Sequence, residues 1–171
     1  MTESGSVYSK GGGGTNFEQF IQSAYVLMLT LGGQAPTIKN STIKEVAFQV
    51  TNKGFQTDDL YVLCDSPLGV HKLLFQVKTN LTFSVRNEEF ENVIKDFWQD
   101  FNSQLFDKEK DRFFITKSGL NKVERNQIKV LLDWSSSHST SEDFYSEVNR
   151  VKEKEEKLTI FRSIVNGIES C

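Results

Sequence analysis

A chain of 171 residues, 37% of them hydrophobic and only 2 of them proline, is long enough for one well-filled core and has the composition of an ordered globular protein. Its 20 basic and 23 acidic residues give a net charge of −3, which argues against binding to nucleic acid through a general positive field but is compatible with basic residues that line one groove. The longest apolar stretch, Ala24 to Leu31, is far shorter than the roughly 20 residues of a membrane span, and the first residues lack the pattern of a secretory signal, so we expect no membrane helix and a cytoplasmic protein.

The N-terminal part of the chain predicts a flexible lead-in followed by a helix. Residues 1–14 end in four glycines, and we expect them to precede a single domain of residues 15–171. No Gly-Lys-Ser/Thr follows the glycines, so they do not predict a nucleotide-binding loop. Thr15 and Asn16 offer an N-cap, and Gly32 and Gly33 offer a stop. Between them, apolar residues recur at helical spacing on one core-facing stripe: Phe17, Phe20, Ile21, Ala24, Met28 and Leu31.

Four segments have the pattern of β-strands. The first alternates apolar and polar residues between Val46 and Val50. After turn signals come two apolar runs, Leu60 to Cys64 and Lys72 to Thr79. Arg112 to Thr116 is the fourth predicted strand.

The remaining segments are predicted to be helical. Asn87 opens a second helix, with Glu88 and Glu89 in its first turn. Its core-facing residues are expected to be Phe90, Val93, Ile94, Phe97, Phe101 and Leu105. Further helices are predicted at 120–133, 141–152 and 158–168, with a polar loop at 135–141. This order of elements predicts an α/β fold with a four-stranded mixed sheet between helices.

The cysteines and histidines provide little for other kinds of site. Cys64 and Cys171 have no CxxC neighbour, and His71 and His138 lie beside a turn and in a serine-rich loop. We therefore expect neither a structural zinc nor a Ser-His-Asp triad.

The sequence pattern indicates a candidate catalytic site formed by four residues: Asp58, Asp59, Gln76 and Lys78. Residues two apart on a strand point to the same face, so Gln76 and Lys78 project together, and an acid at the head of a neighbouring strand can lie beside both. Oxygen ligands for Mg²⁺ and a cation near the attacking water or the scissile phosphate are what metal-dependent phosphodiester cleavage needs. We expect the tips of Asp59, Gln76 and Lys78 to lie in one cleft, within roughly 8 Å of each other. The alternative is a solvated turn and an edge-strand lysine.

Asp59 before an apolar strand, followed by Gln76-Val77-Lys78, resembles the acid-then-(E/Q)xK signature of the PD-(D/E)xK nuclease superfamily, with Gln in place of the commoner acid. The glycine-rich start before an aromatic-rich helix, the Asp-Asp-Leu, the Gln-Val-Lys-Thr and the stretch from Asp96 to Phe101 are similar to nuclease effector domains at the N-termini of bacterial anti-phage proteins of the CBASS and AVAST type. The resemblance covers residues 11–119. It implies a restriction-endonuclease-like fold that cuts double-stranded DNA without base specificity.

The resemblance also implies a role for each residue. Asp59 is the main metal ligand for Mg²⁺ or Mn²⁺, chosen over Asp58 because it directly precedes the strand. Gln76 offers a neutral carbonyl oxygen to the metal, and Lys78 acts on the attacking water or on the charge growing on the phosphate. Glu18 supplies a further catalytic carboxylate and metal ligand. Alternatively, Glu18 is only an acidic residue in the first turn of its helix, where the helix dipole favours a negative charge. Oligomerisation is expected through regions C-terminal to or outside this domain.

Other features have two interpretations. Four isolated cations near the strand ends offer a phosphate groove, although such residues are usually solvated surface charges: Lys53, Lys72, Arg86 and Lys117. Trp98 lies at helical spacing among phenylalanines, which is more typical of a core than of a base-stacking platform.

A second function also stays open, namely a non-catalytic module with the nuclease fold that binds nucleic acid or protein. The net charge and Gln76 favour that alternative, whereas Lys78 on the same face argues against it.

Overall fold

The computed structural model describes residues 12–138, 140–151, 158–159, 161–163 and 166. These residues divide into two compact units. The first unit contains residues 12–80 and 96–118, and the second contains residues 81–95 and the described residues from 119 onwards. Of the candidate residues named above, only Arg86 belongs to the second unit. None of the described helices is long and apolar enough to cross a membrane.

Along the chain, one helix is followed by three strands, a second helix, a fourth strand and then further helical segments. The strands are β1 (Thr42–Ala47), β2 (Leu60–Ser66), β3 (Gly69–Lys78) and β4 (Arg112–Lys117). The helices are α1 (Gly12–Thr30), α2 (Glu88–Phe101), α3 (Lys129–Ser137) and α4 (Ser141–Asn149), with a 3₁₀ turn at Val50–Lys53 and a π-helical segment at Glu124–Ile128.

The four strands form one sheet in the order β1-β2-β3-β4. The pairs β1/β2 and β2/β3 are antiparallel, and β3/β4 is parallel, so the sheet is mixed. Gly69 closes the short turn between β2 and β3 with φ of 107°, a backbone conformation that glycine adopts without strain. The predicted α/β fold with a four-stranded mixed sheet is confirmed.

One face of the sheet packs against α1. Leu73, Phe75 and Val77 of β3 point to this face and form a buried core with Tyr25 of α1. The rings of Tyr25 and Phe75 lie 5.1 Å apart between centroids. The odd-numbered residues of β3 are therefore committed to packing.

The opposite face carries the even-numbered residues of β3. Leu74 belongs to a separate buried cluster on this side. The last residues of α2 pack on the same side, since Phe97 stacks on Phe113 of β4 with centroids 4.6 Å apart. Because Leu74 pairs with Phe113, strand alternation places Gln76 and Lys78 on this face too.

The first helix differs from its prediction in its start and in its packed stripe. It begins at Gly12, one turn before Asn16, because extending a formed helix through glycines costs much less than nucleating one. Phe20 and Leu31 were expected to face the core but are 69% and 74% exposed. The packed stripe is formed instead by Phe17, Ile21, Tyr25 and Met28.

Two further boundaries were wrong for local backbone reasons. The first strand ends at Ala47 because Gln49 adopts a left-handed conformation with φ of 50°, which turns Val50 into a 3₁₀ segment instead of extending the alternation. Leu105 was expected on the core face of the second helix, but this helix ends at Phe101 and Leu105 is 47% exposed.

The second unit begins its helices with side-chain caps. Oδ1 of Asn87 accepts the backbone N–H of Phe90 at 2.7 Å, which confirms Asn87 as the start of α2. Asn121 and Glu124 cap each other, since each side chain accepts the other's backbone N–H. Helix α3 continues to Ser137, so the polar loop predicted at 135–141 is shorter than expected. Of the helix predicted at 158–168, residues 158–159, 161–163 and 166 are helical and the others lie outside the described residues.

Candidate active site at the carboxyl end of β3

Asp59 and Lys78 are brought together where β2 begins and β3 ends. Asp59 directly precedes Leu60, which pairs with Phe75 of β3. The backbone N–H of Val77 donates to Oδ2 of Asp59 at 2.7 Å, and Nζ of Lys78 lies 3.6 Å from the same oxygen. The side chains are 17% and 24% exposed, so solvent reaches both. The predicted proximity of Asp59 and Lys78 is confirmed.

Gln76 lies on the same face as Lys78 but is only 4% exposed. It was expected to share an open cleft with Asp59 and Lys78. Gln76 is therefore buried where an accessible side chain was expected, and its role in the site stays a prediction. Strand alternation sets the direction of a side chain and not what covers it.

Glu18 approaches the site through a neighbouring glutamine. Nε2 of Gln22 donates to Oε1 of Glu18 at 2.8 Å and to the backbone carbonyl oxygen of Asp59 at 3.1 Å. One amide thus joins α1 to the residue that begins the site. Glu18 is close to Asp59, and the bridge connects it to the backbone of Asp59 rather than to its carboxylate.

Asp96 interacts electrostatically with the residues of this site, and the sequence did not identify it. Burial raises the pKa of Asp96, and the negative charges of Asp100, Asp58 and Asp59 raise it further, while Lys78 opposes them. Asp96 stands on α2, far from Asp59 along the chain. The sequence signal for it was its position in the stretch from Asp96 to Phe101, which holds two acidic and three aromatic residues.

The pKa of Asp59 is raised by the same kinds of cause as that of Asp96. Burial raises the pKa of its carboxyl group, the Val77 amide and Lys78 lower it, and the charge of Asp58 adds to the rise. The site therefore concentrates negative charge around one lysine. Such a group of acids is stabilised when a cation enters it.

The four other predicted cations differ in their surroundings. Lys53 pairs with Glu45 at 2.7 Å, and Lys72 pairs with the buried Asp111 at 2.9 Å. Lys117 is the register partner of Lys78 at the end of β4. Arg86 belongs to the second unit. The ammonium of Lys72 is thus engaged by a buried acid, and a phosphate groove lined by these cations stays a prediction.

Trp98 takes part in an aromatic cluster. Its ring stacks on Phe101 with centroids 5.9 Å apart, and Phe101 contacts Phe106 at 6.0 Å. These contacts agree with the core interpretation of Trp98.

The oxygen donors of the site fit a cation of the Mg²⁺ type, which is usually held by one or two carboxylates with water and phosphate completing its shell. Asp59 engages Val77 and Lys78 through Oδ2. Among the described residues, no group of three or more His, Cys, Asp or Glu side chains is arranged to hold a metal ion by itself.

Comparison of the chain with protein-family models, with curated proteins and with solved structures gave no match. The function is therefore inferred from the residues of the site.

Proposed function

We propose that this domain is a metal-dependent DNA endonuclease with an active site of the PD-(D/E)xK type on a restriction-endonuclease-like sheet. The observation that carries the proposal is the Asp59–Lys78 pair at the end of β3, with the charge of Asp58 beside Asp59. Acids beside a lysine provide oxygen donors for a cation and a positive charge for a phosphate. In line with the resemblance, the proposed substrate is double-stranded DNA, cut without base specificity in anti-phage defence.

Asp59 is the proposed main ligand of Mg²⁺ or Mn²⁺. Asp96 and Glu18 are neighbouring carboxylates, and Gln76 is a neutral donor that would have to be uncovered to contribute. When bound, the cation supplies Lewis-acid stabilisation of the phosphate. The Val77 N–H fixes the Asp59 carboxylate before any ligand arrives, which reduces the entropy that binding must overcome.

Lys78 is the proposed catalytic residue. Its ammonium lies beside Asp59 and remains 24% exposed, so a phosphate entering from solvent can reach it. In that position the ammonium donates hydrogen bonds to the attacking water or to phosphate oxygens. It also offsets the negative charge that grows on the phosphate during the reaction.

The second candidate function is a non-catalytic module that binds nucleic acid or protein. The burial of Gln76 and the lack of a three-acid metal group among the described residues favour it. The two functions differ in whether removal of a single acid abolishes a chemical step or only weakens association.

The test is cleavage of supercoiled plasmid by the domain with Mg²⁺ or Mn²⁺. We expect nicked and linear products that disappear with a chelator. Asp59→Asn should lower the rate by about a hundredfold or more, because it removes the ligand charge while keeping an oxygen for the Val77 N–H. Asp65→Asn is the matched control, since Asp65 is an exposed acid at the other end of the β2 strand and should leave the rate unchanged.

An artificially oligomerised form should be assayed beside the isolated domain, because we propose that regions outside it assemble several copies and switch cutting on. The nuclease proposal is overturned if neither form cuts DNA with either metal. It is also overturned if Asp59→Asn cuts at the wild-type rate.

A further inference from the structure

We infer that Asp100 is a positioning residue that holds the loop carrying Asp58 and Asp59, and thereby keeps Asp59 in register with Val77 and Lys78. Its importance for catalysis rests on the proposed nuclease function. The inference itself concerns the geometry of the loop, which can be measured without any activity.

Asp100 binds two consecutive backbone amides of this loop. Oδ1 accepts the N–H of Gln56 at 2.8 Å, and Oδ2 accepts the N–H of Thr57 at 2.8 Å. Asp100 is 2% exposed and Thr57 is fully buried. Both oxygens of a buried carboxylate are thus used on the segment that leads into the site.

The chemistry of this contact requires a carboxylate. A buried charge is tolerated only where hydrogen bonds compensate its lost hydration, and two N–H donors do so here. An asparagine has one acceptor oxygen, so Asp100→Asn would leave one of the two buried amides facing an NH₂ group. The length of the side chain is kept, and only the double acceptor is lost.

The contact places two acids of α2 in complementary roles. Asp96 and Asp100 are four residues apart and share one face of the helix. Asp96 interacts electrostatically with Asp58 and Asp59, and Asp100 grips the backbone that precedes them. One helix face therefore contributes charge to the site and also sets the position of its loop.

Release of the loop should displace Asp59. Thr57 is two residues before Asp59, whose Oδ2 meets the Val77 N–H at 2.7 Å and Lys78 at 3.6 Å. A hydrogen bond weakens steeply when its geometry is lost, so a small shift of the loop is enough to break the contact with Val77.

Asp111 provides a matched control. It is 3% exposed and also accepts two backbone amides, from Lys72 at 2.7 Å and from Asp107 at 2.8 Å. Lys72 is six residues from Lys78 along β3, which is roughly 20 Å on an extended strand. Asp111→Asn therefore also removes a buried carboxylate that accepts two amides, together with its ion pair to Lys72, without touching the loop of Asp59.

The experiment is amide hydrogen exchange of the wild-type domain, Asp100→Asn and Asp111→Asn. We expect exchange at Gln56, Thr57 and Val77 to be at least about tenfold faster in Asp100→Asn and unchanged within about twofold in Asp111→Asn. Asp111→Asn should instead accelerate exchange at Lys72 and Asp107. Unchanged protection of Val77 in a folded Asp100→Asn variant would overturn the inference.

The wild-type protein decides the question if Asp100→Asn does not fold. At low denaturant concentrations, the free energy of opening measured by exchange should fall with the same slope for the amides of Gln56, Thr57 and Val77. The amides of Lys72 and Asp107 should follow a different slope. Independent opening of Val77 would overturn the inference.

Cleavage assays separate failure of this inference from failure of the proposed function. If the wild type cuts DNA, Asp100→Asn should lower kcat by at least about tenfold with KM changed less than about threefold, and Asp111→Asn should change neither by more than about threefold. Equal losses in the two variants would mean that Asp100 only stabilises the fold. If the wild type does not cut DNA, the nuclease proposal fails, and the exchange result still decides whether Asp100 positions Asp59.

Discussion

Two lysine–aspartate ion pairs lie on the same face of β3, one toward each end of the strand. They differ in how many hydrogen-bond donors surround the carboxylate and in how exposed it is. Lys72 and Asp111 are 2.9 Å apart, and the Asp111 side chain is 2% exposed. Lys78 and Asp59 are 3.6 Å apart, and the Asp59 side chain is 17% exposed. The same residue types on one strand thus form a short, enclosed pair and a longer, more accessible one.

The difference lies in the surrounding donors and charges. Asp111 accepts the ammonium of Lys72 and the backbone N–H groups of Lys72 and Asp107. Asp59 has one backbone donor, and the charge of Asp58 acts against its ionised form. A saturated buried acid stabilises a fold, whereas an acid with unused capacity among like charges can take a cation. The comparison indicates which of two similar pairs can act on a ligand.

The largest expected effect is on catalysis. Lys78→Ala should lower plasmid cleavage by about a hundredfold or more, because the charge beside the phosphate is lost. Lys72→Ala should leave the rate per folded molecule nearly unchanged. Both variants should be assayed at a temperature where circular dichroism shows that they are folded.

Lys78→Arg sharpens the same test. It should not restore cutting, because a planar guanidinium cannot occupy the position of a compact ammonium. A binding module would behave differently, since Lys78→Arg would then largely preserve a salt-dependent association with DNA. Cleavage by Lys78→Ala at a near wild-type rate would show that Lys78 is not catalytic.

The two ion pairs should rank in the opposite order when variants are compared by the free energy of unfolding instead of by the cleavage rate. Asp111→Ala should lower the free energy of unfolding by about 2 kcal/mol or more, because two enclosed amides and Lys72 lose their acceptor. Asp59→Ala should cost less than about 1 kcal/mol, because it loses one amide contact and a longer, partly exposed ion pair while it also removes repulsion with Asp58. Urea unfolding of both variants measures the difference, and equal losses would contradict the distinction between the pairs.

The smallest expected effect concerns Glu18, which is connected to the backbone of Asp59 through the side chain of Gln22. Glu18→Gln keeps an acceptor for Gln22 while removing the charge, so cleavage should fall by less than about tenfold. A loss as large as that of Asp59→Asn would make Glu18 a principal ligand. An unchanged rate would leave it a helix-dipole residue.

Part of the site could be predicted because it depends on local rules. Strand alternation was sufficient to put Gln76 and Lys78 on one face, and the apolar run after Asp59 was sufficient to bring that acid to the head of the adjacent strand. Asp96 and Asp100 could not be assigned in this way. Their roles depend on which face of α2 turns toward the loop at Gln56 and Thr57, and no local pattern records that choice.

The sequence alone determined the presence of four strands, the start of α2 and a mixed α/β fold, because periodicity and caps act over a few residues. Only the tertiary structure decided which acids gather around Lys78, why Lys72 is held by Asp111, and that Gln76 lies buried while its neighbour Lys78 stays accessible. These outcomes depend on contacts between segments distant in the chain, where burial and the supply of backbone donors determine whether a charged side chain is saturated or remains available.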